Sequence, residues 1–336
     1  MNCLCTGTNL YMFNPGRKQF VKFKIIMSDR SDSECDDEQL EKKMKVCDSK
    51  TSDTTTLSTS TPHAGECDGV DQLFAKTMNI KDFCCIISGL GNIPNLEHVL
   101  FQFTNKGMLI YAKPVTSPVM AISFWNPGMF QTYKCTGTIS KWVNKCRLEN
   151  LRKKISKDVQ HLDISCISEG QPGLEFSGTR LVKTGGECKF SFNIFEWKVP
   201  LEPIKIDINY NWHVGTASEK FKDNIEFIDD KSELISIRLN QSSFVFQGIT
   251  DTGLVAEEIS HKTDSCVQVN FNSLFYKRYL KIITAAQSLH KTLNISFFPD
   301  EEEETYPVLF SYELDQSSPK SHFSVYVLPV LNPNGL

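Results

Sequence analysis

From about residue 70 onward, apolar and polar residues alternate with a period of two through one short run after another. "VLFQF" (99–103), "GMLIYA" (107–112), "VMAISFW" (119–125), "MFQTYKC" (129–135) and "HLDISCIS" (161–168) set β-branched and aromatic residues at strand spacing. "TNKG" (104–107) joins the first two and predicts a tight hairpin turn. The same pattern returns in "SELISIRLN" (232–240), "SSFVFQGIT" (242–250), "GLVAEEI" (253–259), "CVQVNF" (266–271), "TLNISFF" (292–298), "PVLFSYEL" (307–314) and "HFSVYVLP" (322–329). Four segments switch to a helical period: 80–90, 147–157, about 216–229 and 272–290. "WKVPLEPIKI" (197–206), with two prolines, reads as an extended connector between the halves. The expected class is α+β: two similar antiparallel-sheet units, each with two helices, as from a structural duplication.

Charge sharpens this picture at the helices. On a helical wheel Leu148, Leu151 and Ile155 fall within about 60° of one another, Lys153 and Lys157 point away, and Arg147, Arg152 and Lys154 flank them. In the last helix Phe275, Tyr279, Ile282, Ile283 and Ala286 make the core face; Lys277, Lys281, Thr284 and Ser288 line the opposite side, with Arg278 at its margin. The other two helices are less basic. The first offers Lys81 beside Ser88 and Gly89; the third sets Glu219, Asp223 and Glu226 opposite Phe221, Ile225 and Ile228, with Lys220 and Lys222 at the flanks. The chain has a formal net charge of −4, yet its acid is concentrated in the N-terminal segment and in "PDEEEE" (299–304). A mildly acidic protein can still offer phosphates a positive track, because association follows the local field. Solvated helix faces carry lysines for no special reason, and the segregation on two helices is what favours the phosphate reading.

Composition bounds the rest. In 336 residues, 40% hydrophobic, there is enough apolar material for one large core or two modest ones. No run approaches the ~20 apolar residues of a membrane span, and the N-terminus lacks signal-peptide features, so an intracellular, soluble protein is expected. From Ser28 to Thr61 the chain is mostly Ser, Thr, Asp, Glu and Lys without an aromatic residue, which predicts a disordered arm over 1–70. "MSDRSDSECDDEQ" from Met27 reads as a start of its own, making 1–26 an upstream extension. The twelve cysteines include no C-x-x-C and suit scattered thiols in a reducing compartment. The seven histidines form no metal-ligand spacing, and neither a phosphate-cradling G-x-x-x-x-G-K nor a G-x-S-x-G is present. The acids at 300–304 lack the spaced ligands of a cation site, and His290 beside Lys291 suits a helix end or a phosphate better than acid–base work. The expectation is a protein that binds rather than catalyses, with no metal and no cofactor.

At "MFQTYKC", followed by a strand and a basic helix, the sequence resembles the DNA sliding clamp family typified by proliferating cell nuclear antigen, whose first domain has a similar Phe-x-x-Tyr-basic-Cys strand. The end agrees: "VQVNFNSLFYKRYLKIITAAQSLHKTLNISFFPDEEEETYPVLFSYEL" and then "FSVYVLPVL" follow the family's order of strand, long helix, strand, acidic loop, Pro-led strand and terminal Tyr-x-x-Pro strand. The resemblance covers roughly 72–331, is loose between 200 and 260, and leaves the polar arm as an addition. It implies clamp domains at 71–198 and 206–331, an interdomain connector at 199–205 and a tail at 332–336. It further implies a homotrimeric ring with helices lining a central channel, a processivity factor that encircles duplex DNA without reading sequence. The phosphate-contacting set is then Lys81, Arg147, Arg152, Lys153, Lys154, Lys157, Lys220, Lys222, Lys277, Arg278, Lys281 and Lys291. The family's hydrophobic cleft, which receives short aromatic peptides of DNA polymerases and other replication and repair proteins, maps onto Val115, Val199, Leu201, Pro307, Tyr326, Leu328, Pro329 and Leu331.

Two rival readings keep the fold. One is a monomer or dimer gripping DNA on one basic face, as some viral processivity factors do; the other is a clamp-shaped scaffold for transcription or repair factors. The resemblance places the chain in a nucleus or a viral replication compartment, with a clamp loader as a further expected partner, and its divergence suggests a large DNA virus.

Overall fold

The computed structural model describes residues 72–155, 158–167, 172–181, 186–197, 208–228, 231–240, 243–249, 255–262, 271–298, 306–315 and 320–330, and three N-terminal strands. Those strands, β1 (Leu4–Thr6), β2 (Asn9–Asn14) and β3 (Gln19–Lys24), pair antiparallel in chain order. The remainder of the expected polar arm at 1–70 lies outside the described residues. The chain divides into two units, Met1–Ile26 with Asp71–Leu336, and Met27–Val70; the second also lies outside them.

The first half runs β4 (Leu73–Thr77), α1 (Ile80–Gly91), β5 (His98–Thr104), β6 (Gly107–Ala112), β7 (Val119–Trp125), β8 (Thr132–Cys135), β9 (Ile139–Asn144), α2 (Lys145–Lys154), β10 (Val159–Cys166), β11 (Gly173–Leu181) and β12 (Glu187–Phe195). The second runs β13 (Trp212–Ala217), α3 (Ser218–Phe227), β14 (Leu234–Asn240), β15 (Ser243–Ile249), β16 (Val255–Lys262), β17 (Phe271–Tyr276), α4 (Lys277–Ala285), β18 (Thr292–Phe297), β19 (Val308–Glu313) and β20 (His322–Val327). The fold is α+β, with antiparallel sheets and few helices.

Strand order shows how the halves are joined. A five-stranded sheet runs β12-β11-β10-β4-β8, a four-stranded sheet runs β16-β15-β14-β17, and an eight-stranded sheet runs β13-β18-β19-β20-β7-β6-β5-β9. The eight-stranded sheet is a composite. Its β9-β5-β6-β7 part has the order of β17-β14-β15-β16, and its β20-β19-β18-β13 part has the order of β12-β11-β10-β4. Each half therefore contributes one sheet of each kind, and the two unlike sheets fuse edge to edge where β20 pairs antiparallel with β7, from His322↔Phe124 to Val327↔Val119.

The duplication extends to single hydrogen bonds. Lys145 N–H donates to the Glu97 carbonyl at 2.9 Å and Lys277 N–H to the Glu233 carbonyl at 2.8 Å, each at the first position of a helix. Trp197 N–H donates to the Trp142 carbonyl as Val330 N–H does to that of Leu274. Phe83 and Phe221 anchor α1 and α3, both fully buried; Leu148 and Leu151 match Leu280 and Ile283 on α2 and α4.

The helices form one layer in the order α2-α1-α4-α3, so helices of the two halves meet at α1 and α4. Gly89 makes that approach possible. A Cβ there would lie 3.3 Å from Phe323 Cζ and 3.4 Å from the Ile282 carbonyl oxygen, which places Gly89 inside the junction rather than on the outward side expected for it. One continuous apolar core runs between the helix layer and the sheets, with Phe83, Trp125, Phe176, Phe221, Phe275 and Phe310 among its largest members.

The expected turn at 104–107 is present: Thr104 pairs with Gly107, whose φ of 132° suits glycine. Three sequence boundaries shift. Residues 272–276 belong to β17 rather than starting the helix expected at 272–290, because Phe271 and Phe275 fill the core at strand spacing. The helix expected at 147–157 begins at Lys145, where the Asn144 side chain accepts the Cys146 N–H at 3.0 Å. In 129–135 only Thr132–Cys135 is strand, after a 3-10 turn at Pro127–Met129 that Pro127 starts. Of "CVQVNF", only Phe271 falls within the described residues.

Candidate nucleic-acid interface

The four helices hold eleven Lys and Arg against five Asp and Glu, in a chain that has 36 against 40 overall. One side of this layer is packed on the sheets, so the surplus of cations lies where its other side meets solvent. Lys81, Arg147, Lys153, Lys154, Lys220, Arg278 and Lys281 are exposed and Arg152 and Lys222 half-buried. Lys291 is exposed in the turn before β18, where its carbonyl accepts the Ser218 N–H at 2.9 Å. Lys157 lies outside the described residues.

Within this set the side chains differ in what already engages them. Lys154 Nζ sits 4.7 Å from the Phe192 ring centroid, and Arg278 lies over Tyr276 and Tyr279 at 4.8 and 5.1 Å. Lys222 pairs with Glu226 at 3.8 Å, one turn along α3. The buried Nε of Arg152 has no hydrogen-bond partner.

Lys277 departs from the expectation of a DNA-facing cation. It is 5% exposed, and its Nζ donates to the Ile228 carbonyl just past the end of α3. Lys145 repeats the arrangement in the first half, with Nζ 3.2 Å from the Ile93 carbonyl just past α1. Both lysines tie the start of one helix to the end of another. The wheel missed this because it ranks positions on one helix and cannot see a neighbouring chain end. Thr284 is buried as well, and its hydroxyl donates to the Lys281 carbonyl of its own helix at 3.2 Å.

A second, smaller apolar cluster lies apart from the main core: Leu100, Tyr111 and Met120, with Ile122, Trp142 and Tyr326 packed against it. These residues alternate with core residues along β5, β6, β7 and β20, so they occupy the side of the eight-stranded sheet away from the helices. The near-continuous apolar runs in β5 to β7 were the sequence signal for two-sided burial. Of the expected cleft residues, half-buried Tyr326 belongs to this cluster, while Leu328 is buried and donates its N–H to the Pro118 carbonyl at 3.0 Å. That bond draws the end of β20 toward the loop that carries exposed Val115. Pro307 is buried and its carbonyl accepts the Tyr210 hydroxyl at 2.8 Å; Pro329 is half-buried. Burial pushes the Tyr210 and Tyr326 hydroxyls above the ordinary phenol range. Val199, Leu201 and Leu331 lie outside the described residues; the chain leaves the β9 edge at Trp197 and rejoins the sheet at its opposite edge, β13.

Among the described residues, no group of three or more His, Cys, Asp or Glu stands together to hold a metal ion. No helix there is long and apolar enough to cross a membrane. Burial raises the Cys84 thiol to about 11, which leaves it protonated at neutral pH. No protein-family model matches the chain, and no curated protein matches its sequence.

Proposed function

We propose that the chain is a DNA sliding clamp, a processivity factor whose copies join head to tail into a homotrimeric ring around duplex DNA. The observation that carries this reading is the status of two sheet edges. Strand β20 is joined to β7 within the chain; among the described residues their counterparts by strand order, β12 and β16, are the terminal strands of their sheets. An edge strand left open is a template for pairing. Joining β12 of one copy to β16 of the next repeats the bond the chain already makes internally. A head-to-tail contact of this kind closes into a ring when its rotation allows.

Side chains on β12 support the pairing. Phe190 and Phe192 correspond to Phe323 and Val325 of β20, counted back from the matched Trp197 and Val330. Phe323 and Val325 are fully buried by the internal junction, whereas Phe190 and Phe192 are only partly buried at the open edge. Transferring the β20–β7 register sets Phe190 opposite Ile259 of the next copy. The helix layer supplies the DNA-facing side, through exposed cations that neutralise phosphate without contacting base edges. The apolar cluster around Tyr111 and Tyr326, on the other side of the sheet, is the proposed seat of aromatic peptides from a polymerase or other replication and repair proteins.

The test is retention on DNA. A closed ring stays on circular or end-blocked DNA and is lost from free linear ends; equal loss from both overturns the reading. A second reading, an unclosed monomer or dimer gripping DNA through α2 and α4 alone, is favoured by one observation: the outward side of α3 carries Glu219, Asp223 and Glu226.

A further inference from the structure

The ring reading gives no task to the N-terminal sheet β1-β2-β3. Its composition sets it apart. Residues 1–26 hold Arg17, Lys18, Lys22 and Lys24 and no Asp or Glu, together with Tyr11, Phe13, Phe20 and Phe23. Residues 27–70 hold eleven acids against five bases, and no Phe, Tyr or Trp. Cations and aromatic residues are thus gathered in the sheet, and the acid is kept to the segment beyond it.

Register sorts the sheet's residues onto two faces. Tyr11 pairs with Lys22 and with Leu4, Phe13 with Phe20, and Asn9 with Lys24. Because faces alternate along a strand, Tyr11, Phe13, Phe20, Lys22 and Lys24 share one face. Leu10, paired with Phe23 and Cys5, and Met12, paired with Val21, share the other, which carries no charge. A three-stranded sheet needs one apolar face to pack, and the uncharged face meets that need. The remaining face sets three aromatic residues beside two lysines. Arg17 and Lys18 fall between β2 and β3, at the end of the sheet that holds the Phe13–Phe20 pair.

We propose that this second face is a site for single-stranded nucleic acid, distinct from the helix layer and independent of the ring reading. Cations alone attract any phosphate backbone, duplex included. Aromatic residues add selectivity, because only an unpaired base offers its flat surface for stacking. The six residues of β2 or β3 span about 20 Å at strand rise, room for two or three bases, with Lys22 and Lys24 forming a row of charge for the backbone. Stacking of this kind reads no sequence. A chain with both sites can hold a duplex on its helix layer and a single strand on its N-terminal sheet, as where the two meet.

The experiment is fluorescence anisotropy of the full chain with labelled oligo-dT, beside retention on circular duplex. Three altered chains are compared with the wild type: Tyr11→Val with Phe13→Val and Phe20→Val, which keeps good strand formers in place; Lys22→Gln with Lys24→Gln; and Lys153→Glu with Lys281→Glu. The first two should bind oligo-dT about tenfold or more weakly and stay on circular duplex as the wild type does. The lysine changes should also reduce the salt dependence of oligo-dT binding, and the valine changes should leave it as it was. The third should weaken duplex binding and keep oligo-dT affinity near the wild-type value. Unchanged oligo-dT affinity in either of the first two chains overturns the proposal. So does an equal loss of duplex and oligo-dT binding in the third, which would put the single strand on the helix layer. Displacement of oligo-dT by a poly-glutamate peptide as readily as by unlabelled oligo-dT also overturns it, since the face would then be a merely cationic patch. Equal loss of the wild type from circular and linear duplex would overturn the ring reading and leave this site standing.

Discussion

Replacing Lys277 by Met separates two roles for a lysine that the sequence places among the DNA-contacting cations. Its ammonium is buried and donates to the Ile228 carbonyl, and its backbone N–H donates to the Glu233 carbonyl at 2.8 Å. Methionine fills the space of the stem, so little cavity is left, but the Ile228 carbonyl loses a charged donor. Hydrogen bonds to charged groups contribute roughly 1.5–3 kcal/mol, and removing a buried charge returns part of that through relieved desolvation. The net expected loss is about 1–2 kcal/mol, near a tenfold rise in the unfolded fraction. The assay is a urea titration beside a DNA-binding isotherm at several salt concentrations. The urea midpoint should fall with its slope unchanged, and the salt dependence of DNA binding should stay as in the wild type. A salt slope reduced by about one, with an unchanged midpoint, would refute the reasoning, because it would mean that the ammonium reaches phosphate. Lys145→Met is the internal control, with a smaller loss expected because its ammonium is more exposed and also lies 3.9 Å from Glu149.

The other predictions concern the same junctions and surfaces. Gly89→Leu should disrupt the α1–α4 approach and cost several kcal/mol, read as a large fall in the urea midpoint; a neutral outcome would mean that the helices do not meet there. Tyr312→Phe removes a 3.0 Å bond to the buried Ile283 carbonyl and should cost about 1–2 kcal/mol in the same titration. His98 and His322 are held below the usual histidine value by burial. Their native states favour the neutral ring, so their contribution is present above the unfolded value near 6.5 and lost as pH falls through the lower native values. The urea midpoint should decline between pH 7.5 and 5.5, and less so in a His322→Gln chain. Cys146, exposed, should react with a maleimide well before Cys84, whose thiol stays protonated; equal rates would contradict the burial at α1.

The strands β5 to β7 were legible in sequence because their apolar, β-branched and aromatic residues are buried on both faces over most of their length, and β19 because buried Val308, Phe310 and Tyr312 alternate with partly exposed residues. Strands β9 and β12 are edges: in β9 Lys141 interrupts the apolar face of Ile139 and Val143, while in β12 Phe190, Phe192 and Ile194 alternate regularly with Lys189, Ser191 and Asn193, a strand signal that the sequence reading passed over. Helix faces were legible where one helix packs on one sheet, as at Leu148 and Leu151. They were misleading where two helices meet, at Gly89 and Lys277, because those burials depend on residues far along the chain. The duplication was visible as repeated grammar, but the fusion of unlike sheets at β20 and β7 was not, since pairing partners separated by about 200 residues leave no local pattern.

Light scattering of the purified full chain tests the proposed ring most directly. The account predicts a mass of three times 38.1 kDa that holds on dilution at low salt. A mass of 38.1 kDa at every concentration would contradict it, since the open edges β12 and β16 would then remain unpaired.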